Sequence, residues 1–315
     1  MSYCKEIGGY FGLECTNTPS YHKNGVLLNS ARNALRYIIK AYHITKIALP
    51  YYTCPVVWQA VKEENCTIIP YDIDDNFIPD TILDGNMYIV YNNYFGICGK
   101  KVETLSKQYP NLIVDNAQAF YALKQGIASF YSPRKFFGLP DGGIVFCDKK
   151  LSQKLNQSIS YDLCAHLLMR HDIPASEGYR EFQKNDEALV GRPIELMSNL
   201  TQALMKNIDY EYVKNKRIEN FIFLHKALKE INKIKIDMSV NDVPMVYPFR
   251  NNDLLLRSKL LKNKIYVARY WPVDDGVDCM KNSKSQELAS SIVPLPIDQR
   301  YNLNDMQKIL EVICK

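Results

Sequence analysis

The sequence of 315 residues lacks the features that mark several specialised classes of protein. No apolar run is long enough to cross a bilayer, and residues 1–15 lack the basic start and apolar core of a signal peptide. No run of basic residues stands out, and the formal net charge is only +5, which does not suggest binding to nucleic acid. We therefore expect neither a membrane nor a nucleic-acid partner.

Paired cysteine spacing is also absent. The nine cysteines are an odd number, and none of them forms a C-x-x-C motif. Neither a zinc site nor a disulfide framework is indicated, so we predict no metal and a reducing, cytoplasmic location. The 47% hydrophobic and 23% charged residues are those of an ordinary globular protein.

Short apolar runs alternate with helix-like segments over the first half of the chain. Four such runs are continuous, as in strands that are buried on both faces of a sheet. They lie at 46–50, 66–74, 86–96 and 111–120. Segments beside them, such as "NSARNALRYIIKAY" (29–42), have apolar residues at helical spacing. This alternation predicts an α/β fold with a mainly parallel sheet covered by helices.

The pattern changes after residue 150. Residues 150–230 have a helical pattern, and three later segments are typical of strands. These predicted strands are "VPMVYPFR" (243–250), "IYVARYWP" (265–272) and "SIVPLPI" (291–297). We therefore predict a large domain at 1–210 and a small α+β domain at 211–315.

Polar residues follow several predicted strands, at the edge where an open parallel sheet binds its ligands. Asp72 and Asp74 follow one strand, and Asp115 follows another. A carboxylate such as Asp115 at the end of an apolar strand is costly unless a cation meets it. Lys135, in the aromatic stretch "SFYSPRKFFGLPDGG" (129–143), precedes a further strand and is expected at the same edge.

Four kinds of site compete for these residues. The S-x-x-K spacing of Ser132 and Lys135 is shared with penicillin-recognising enzymes, but the chain has no K-T-G partner motif. Asp72 and Asp74 form a D-x-D motif of the kind that holds a divalent metal, although acidic turns after strands are common. A Ser-Pro phosphorylation site at Ser132 is an equally short signal. The fourth is a cofactor site built around Lys135.

The surroundings of Lys135 favour this fourth kind of site. A lysine held among aromatic residues loses hydration, so its pKa falls and its amine becomes a nucleophile. Pyridoxal phosphate needs such a lysine for a Schiff base, a carboxylate for its ring nitrogen and a helix N-terminus for its phosphate. Lys135, Asp115 and the helix start at 30–32 supply these three groups. This interpretation predicts that Lys135 is buried.

Several motifs occur in the same order as in a known family. "NSARNAL" (29–35) resembles the Ser-Gly-Thr-x-Ala-Leu segment of the DegT/StrS sugar aminotransferases, which are fold type I pyridoxal-phosphate enzymes. "VDNAQAF" (114–120) is similar to their Asp-x-x-Gln segment, and residues 129–143 resemble their lysine loop. The resemblance extends to "LPYYTCPVVWQAV" (49–61) and to the closing "IVPLPIDQRYNLNDMQKI" (292–309), so it covers most of the chain.

The resemblance implies roles for individual residues. Lys135 would carry the cofactor, Asp115 would pair with its ring nitrogen, and Gln118 would hydrogen-bond its phenolic oxygen. Further cofactor contacts are implied at the phosphate, at the serine of the lysine loop and at the position that stacks on the ring. In that order, these residues are Ala31 and Arg32, then Ser129 or Ser132, then Cys54 or Tyr52.

The resemblance also implies an activity and an assembly. We expect a pyridoxal-phosphate-dependent aminotransferase that moves an amino group from an amino acid, glutamate by resemblance, to a keto group on a small molecule. The expected acceptor is a nucleotide-linked sugar destined for surface polysaccharide, and the expected assembly is a homodimer. One alternative is a sugar dehydratase, which in this family has histidine in place of the lysine. The other is a non-catalytic scaffold, since the phosphate motif is altered to Ala31-Arg32.

Overall fold

The computed structural model describes residue 7, residues 9–271 and residues 283–314. Seven strands from the first half of the chain form one sheet. They are β1 (Val26–Leu28), β2 (Lys46–Pro50), β3 (Thr67–Tyr71), β4 (Tyr88–Asn92), β5 (Leu112–Asn116), β6 (Ala128–Tyr131) and β7 (Gly143–Cys147). Their order across the sheet is β1-β7-β6-β5-β4-β2-β3.

The centre of this sheet is parallel. Strands β3, β2, β4, β5 and β6 pair in parallel, whereas β7 is antiparallel to both β6 and β1. Ile47 and Leu49 pack into the apolar cluster on one face, and Ala48 between them packs into the cluster on the other. Both faces of the sheet are therefore covered, which is why its strands have continuous apolar sequences.

Three helices from the first half of the chain cover the two faces. They are α1 (Ala31–Tyr42), α2 (Pro55–Glu63) and α3 (Gly99–Gln108). Ser30 caps α1, because its hydroxyl oxygen accepts the N–H of Asn33 at 3.1 Å. Helices α1 and α2 share one apolar cluster, and α3 packs into the other.

The second half is mainly helical and carries a small sheet. Its first four helices are α4 (Ala165–Asp172), α5 (Ala175–Ala188), α6 (Asn199–Met205) and α7 (Tyr210–Leu228). The remaining elements are β8 (Val246–Phe249), α8 (Leu256–Lys262), α9 (Lys284–Ser291), β9 (Val293–Pro296) and α10 (Leu303–Ile313). Strands β8 and β9 pair antiparallel. Among the described helices, none combines the length and the apolar character that crossing a membrane requires.

Two of the three strands predicted in this half are confirmed as β8 and β9. The third prediction is wrong over residues 265–271, which contain no strand, and Pro272 lies outside the described residues. The carbonyl of Ala268 instead accepts a hydrogen bond from the side chain of Arg257 at 2.6 Å. The domain boundary after residue 210 stays a prediction.

Candidate functional site

Adjacent strands bring the central site residues to one edge of the sheet. Asp115 in β5 lies in register with Asn92 in β4, at the carboxyl ends of both strands. Strand β6 ends at Tyr131, and a single 3₁₀ turn, Pro133–Lys135, follows it. This turn brings Lys135 to the same edge as Asp115, because parallel neighbours end on the same side.

A cavity of about 400 Å³ opens at this edge, and it is bordered by the N-terminal ends of α1 and α2 and by the turn that carries Lys135. The volume lies within the range of small-molecule sites. Of the predicted site residues, the cavity is lined by Ala31, Arg32, Cys54, Asp115, Ser132 and Lys135. Gln118 lines a smaller pocket that shares Cys54, Asp115 and Lys135 with the cavity.

Asp115 is a buried carboxylate with 6% of its surface exposed. Its Oδ1 accepts the N–H of Ala117 at 2.7 Å. Burial raises the pKa of Asp115 to about 6, against the opposing effects of the Lys135 charge and the Ala117 hydrogen bond. A cationic group in the cavity would favour the ionised carboxylate, because an opposite charge nearby stabilises it.

Lys135 has a different environment from the one predicted. The prediction that it is buried is wrong, because the residue is exposed and lines the cavity. Phe136 and Phe137, which follow it, are buried in an apolar cluster with Phe120. Successive residues of a 3₁₀ turn project in different directions, so aromatic neighbours in the sequence need not surround the lysine. The amine is therefore accessible to a ligand in the cavity.

The buried side-chain amide of Gln118 is hydrogen-bonded through its oxygen but not through its nitrogen. Its Oε1 accepts the backbone N–H of Phe95 at 2.8 Å, whereas its Nε2 has no hydrogen-bond partner within the described part of the chain. An unpaired buried donor of this kind costs about 1–3 kcal/mol. Because Gln118 lines the smaller pocket beside Asp115, this donor is available to an acceptor on a ligand.

The N-terminus of α1 forms another wall of the cavity. The N–H groups of Ala31 and Arg32 have no partner inside the helix, because the first turn has no preceding carbonyls. The start of β7 passes directly against this end, and a Cβ on Gly143 would lie 2.2 Å from the carbonyl oxygen of Ser30. An anion at this wall would meet backbone donors and the positive end of the helix dipole.

Arg32 is partly engaged with the chain that follows α5. Its Nη1 donates to the carbonyl of Leu189 at 2.5 Å, while its buried Nε has no partner among the residues described. Burial lowers the pKa of Arg32, and the charge of Glu63 opposes that shift. The guanidinium thus lies on the cavity wall predicted for the phosphate.

The two serines of the lysine loop occupy different environments. The hydroxyl of Ser129 is fully buried, donates to the carbonyl of Gln125 at 2.8 Å and accepts its N–H at 3.1 Å. Ser132 lines the cavity beside Ala31. Of the two alternatives, Ser132 is therefore the serine that a phosphate at α1 would meet, and Ser129 is engaged in the backbone turn.

The two alternatives for the stacking position, Tyr52 and Cys54, also lie in different environments. Tyr52 is buried in the core, where its ring stacks on Tyr94 at 5.5 Å between centroids and meets Trp271 edge-on at 5.2 Å. It does not line either pocket. Cys54 occupies the N-cap position of α2 and lines both pockets. The structure thus leaves Cys54 as the alternative that borders the cavity.

Sequence reasoning missed the wall formed by Arg134 and the end of α5. Arg134 pairs with Asp186 at 3.0 Å and also donates to Asn185. The cavity is further lined by Glu187, Leu189 and Val190. No motif marks residues 186–190, and the position of Arg134 directly before Lys135 was the one available signal.

Both aspartates of the D-x-D motif have structural partners. Asp72 accepts the N–H groups of Lys284 at 2.8 Å and Ser285 at 3.0 Å, in the first turn of α9. Asp74 accepts the N–H groups of Asn76 and Ile78 within its own turn. In the described ranges, no group of three or more His, Cys, Asp or Glu side chains is arranged to hold a metal.

Comparison with known proteins identifies the fold. No family model matches the sequence, and no curated protein matches it either. Among solved structures, a DegT/DnrJ/EryC1/StrS aminotransferase from Brucella abortus has a TM-score of 0.61 at 14% identity, over 92% of this chain and 85% of its own. The chain has the fold of this aminotransferase. The predicted α/β fold class is thereby confirmed.

Two further solved structures lead to the same fold. Sugar aminotransferase CalS13 from Micromonospora echinospora has a TM-score of 0.62 at 14% identity, over 92% of this chain and 86% of its own. NtdA from Bacillus subtilis, solved with bound cofactor PMP, has a TM-score of 0.62 at 15% identity, over 92% of this chain and 73% of its own. At such identities the likeness establishes the fold alone.

Proposed function

We propose that the protein is a pyridoxal-phosphate-dependent aminotransferase. The observation that carries this proposal is the convergence of Lys135, Asp115, Gln118 and the α1 N-terminus on two pockets that share lining residues. The proteins that share its fold include two named aminotransferases, and NtdA, which has the same fold, was solved with bound PMP. Fold and site residues therefore support the same cofactor.

The residues at the cavity fit this cofactor group by group. The buried carboxylate of Asp115 suits a cationic ring nitrogen, and the unpaired Nε2 of Gln118 suits an oxygen acceptor. The backbone donors of Ala31 and Arg32, together with the hydroxyl of Ser132, suit a phosphate.

Each residue then has a distinct task. When bound, pyridoxal phosphate supplies an electron sink for the carbon that loses a proton. Lys135 would hold the cofactor covalently and, once released, would carry that proton as general base and then general acid. Its exposure to the cavity supports this second task, since the amine must reach both the atom that loses the proton and the atom that receives it. Asp115 would keep the ring nitrogen protonated by offering it a buried negative charge.

We infer an amino acid, glutamate first, as the amino donor and a keto group on a nucleotide-linked sugar as the acceptor. We also infer a cytoplasmic homodimer that supplies surface polysaccharide synthesis. These inferences rest on the motif resemblance at 29–35, 114–120 and 129–143. Lys135 also argues against the dehydratase alternative, in which histidine takes its place.

The test is an absorbance spectrum of the purified protein with added pyridoxal phosphate, before and after glutamate. Lys135→Ala is compared with Lys124→Ala, because Lys124 is a lysine outside the cavity that pairs with Asp148 at 2.9 Å. We expect a visible band in the wild type and in Lys124→Ala, its loss in Lys135→Ala, and its bleaching by glutamate.

The other outcomes are equally informative. A band that depends on Lys135 but is unchanged by glutamate would replace glutamate with another donor and leave the cofactor assignment in place. The absence of any Lys135-dependent band would overturn the proposed function and favour the non-catalytic scaffold.

A further inference from the structure

Arg217 in α7 is a buried arginine with 2% of its surface exposed. Its Nη1 donates to the carbonyl of Met245 at 2.9 Å, and its Nη2 donates to the carbonyl of Phe136 at 3.4 Å. The guanidinium also lies 4.5 Å from the centre of the Phe136 ring. Burial lowers the pKa of Arg217 to about 10, since the charged form loses hydration. A buried charge is costly, and two of these three contacts serve the residue directly after Lys135.

The backbone N–H, the backbone carbonyl and the ring of Phe136 each have a partner. Besides Arg217, the amide of Gln299 donates to the Phe136 carbonyl at 2.8 Å. The N–H of Phe136 donates to the carbonyl of Pro133 at 3.0 Å. Because Lys135 is one peptide bond away, fixing Phe136 fixes the point from which the lysine side chain starts.

A second line of hydrogen bonds leads from the same arginine to Gln118. The N–H of Met245, whose carbonyl Arg217 holds, donates to the carbonyl of Phe95 at 2.8 Å. The N–H of Phe95 donates in turn to Oε1 of Gln118 at 2.8 Å. Arg217 thus stands between two site residues without touching either the cavity or the smaller pocket.

We propose that Arg217 is a positioning residue that sets the orientation of Lys135 through Phe136. Through the second line of hydrogen bonds it also supports Gln118. The inference rests on the proposed function, because it concerns how the lysine amine is presented to its cofactor. It follows that helix α7, in the second half of the chain, influences chemistry that takes place at the edge of the main sheet.

The test compares Arg217→Met with Arg217→Lys and with Arg250→Met. Methionine keeps an extended apolar side chain without donors, and lysine restores the positive charge with donors on a single nitrogen. Arg250 is the matched control, because its guanidinium also joins distant elements, pairing with Asp75 at 2.6 Å and with Glu287.

We expect Arg217→Met to slow the appearance of the Lys135-dependent band about ten- to a hundredfold, as small misplacements do. Arg217→Lys should recover part of that loss, and Arg250→Met should match the wild type.

A second measurement needs no cofactor and so separates this inference from the proposed function. Reductive methylation of the cofactor-free protein, quantified by mass spectrometry, reports the reactivity of the Lys135 amine relative to Lys124. We expect this ratio to change by about threefold in Arg217→Met, because the exposure of the Lys135 amine to the reagent depends on where Phe136 is held. It should stay constant in Arg250→Met.

An unchanged band and an unchanged methylation ratio in folded Arg217→Met would overturn the inference. A wild type without a Lys135-dependent band would overturn the proposed function, and the methylation ratio would then decide on Arg217 by itself. If Arg217→Met does not fold, Gln299→Leu removes the other donor to the Phe136 carbonyl. The same measurements on that variant then support or overturn the positioning role.

Discussion

Asp72 and Asp115 both come at the end of apolar strands of one sheet, and the sequence patterns around them are alike. Their surroundings in the folded chain differ. Asp72 accepts three N–H groups, from Ile73, Lys284 and Ser285, and also the hydroxyl of Ser285. Asp115 accepts the N–H of Ala117 and otherwise borders the cavity. The carboxylate of Asp72 is fully hydrogen-bonded within the fold, whereas that of Asp115 is available to a ligand in the cavity.

This difference separates a carboxylate with a structural role, Asp72, from Asp115, for which we propose a functional role. Saturated hydrogen bonds at Asp72 stabilise the helix start that supplies them, since a carboxylate there also meets the helix dipole. Burial of Asp115 raises its pKa to about 6, so its ionisation at neutral pH lowers the free energy of unfolding. A position that lowers stability is retained more readily where it serves a function.

The largest expected effect is on catalysis, in Asp115→Asn. An amide cannot hold the ring nitrogen in its protonated form, so we expect amine transfer to fall by about 10²- to 10³-fold, as when an electrostatic stabiliser is removed. The measurement is the rate of bleaching of the cofactor band by glutamate. Asp72→Asn is the control and should react at the wild-type rate. Equal rates in both variants would break the distinction between the two aspartates.

The same substitution should stabilise the cofactor-free protein. The pKa of Asp115 rises from 3.8 to about 6 on folding, so its ionisation costs about 3 kcal/mol of stability at neutral pH, which asparagine avoids. The native carboxyl binds its proton more tightly than the unfolded one. Its contribution to stability is therefore fully present below pH 4 and is lost as the pH rises through 6.

Urea unfolding at several pH values measures this linkage. The advantage of Asp115→Asn over the wild type should be largest above pH 7 and should shrink as the pH falls from 6 to 4. A constant difference over that range would mean that the carboxyl is not desolvated as the structure indicates.

Asp72→Ala should have the opposite profile, with a loss of stability and no loss of activity. Removing a carboxylate cap from the start of α9 should cost about 1–2 kcal/mol. Urea unfolding and the glutamate reaction, measured on the same preparation, check both halves of the prediction. Slower amine transfer at unchanged stability would place Asp72 in the site instead.

The sheet and the edge that carries the site were predictable, because both depend on local patterns. Continuous apolar runs with helices between them indicate a parallel sheet, and the motif at 114–120 places Asp115 at a strand end. Which carboxylate is already paired was not predictable. Two partners of Asp72, Lys284 and Ser285, lie more than 200 residues away, and no local pattern indicates that contact.

Side-chain direction was the second thing the sequence could not provide. Lys135 is exposed although phenylalanines follow it, because the turn directs Phe136 into the core and the lysine towards the cavity. The wall at 186–190 was missed for a related reason, since it depends on how the end of α5 meets Arg134. The strand prediction failed over residues 265–271 because β propensity needs a neighbouring strand to pair with.

The smallest expected effects concern Ser129 in β6 and Ser132 just after it. Like Asp72 and Asp115, one of these side chains is hydrogen-bonded within the fold and the other borders the cavity. The hydroxyl of Ser129 is saturated by the backbone of Gln125, so Ser129→Ala should cost about 1 kcal/mol of stability and leave cofactor affinity unchanged. Ser132 lines the cavity, so Ser132→Ala should weaken pyridoxal-phosphate binding several-fold, as the loss of one hydrogen bond of about 1 kcal/mol does, at little cost in stability. Fluorescence titration with the cofactor and urea unfolding distinguish the two variants. If Ser129→Ala weakened binding and Ser132→Ala did not, the phosphate would have to lie away from the N-terminus of α1.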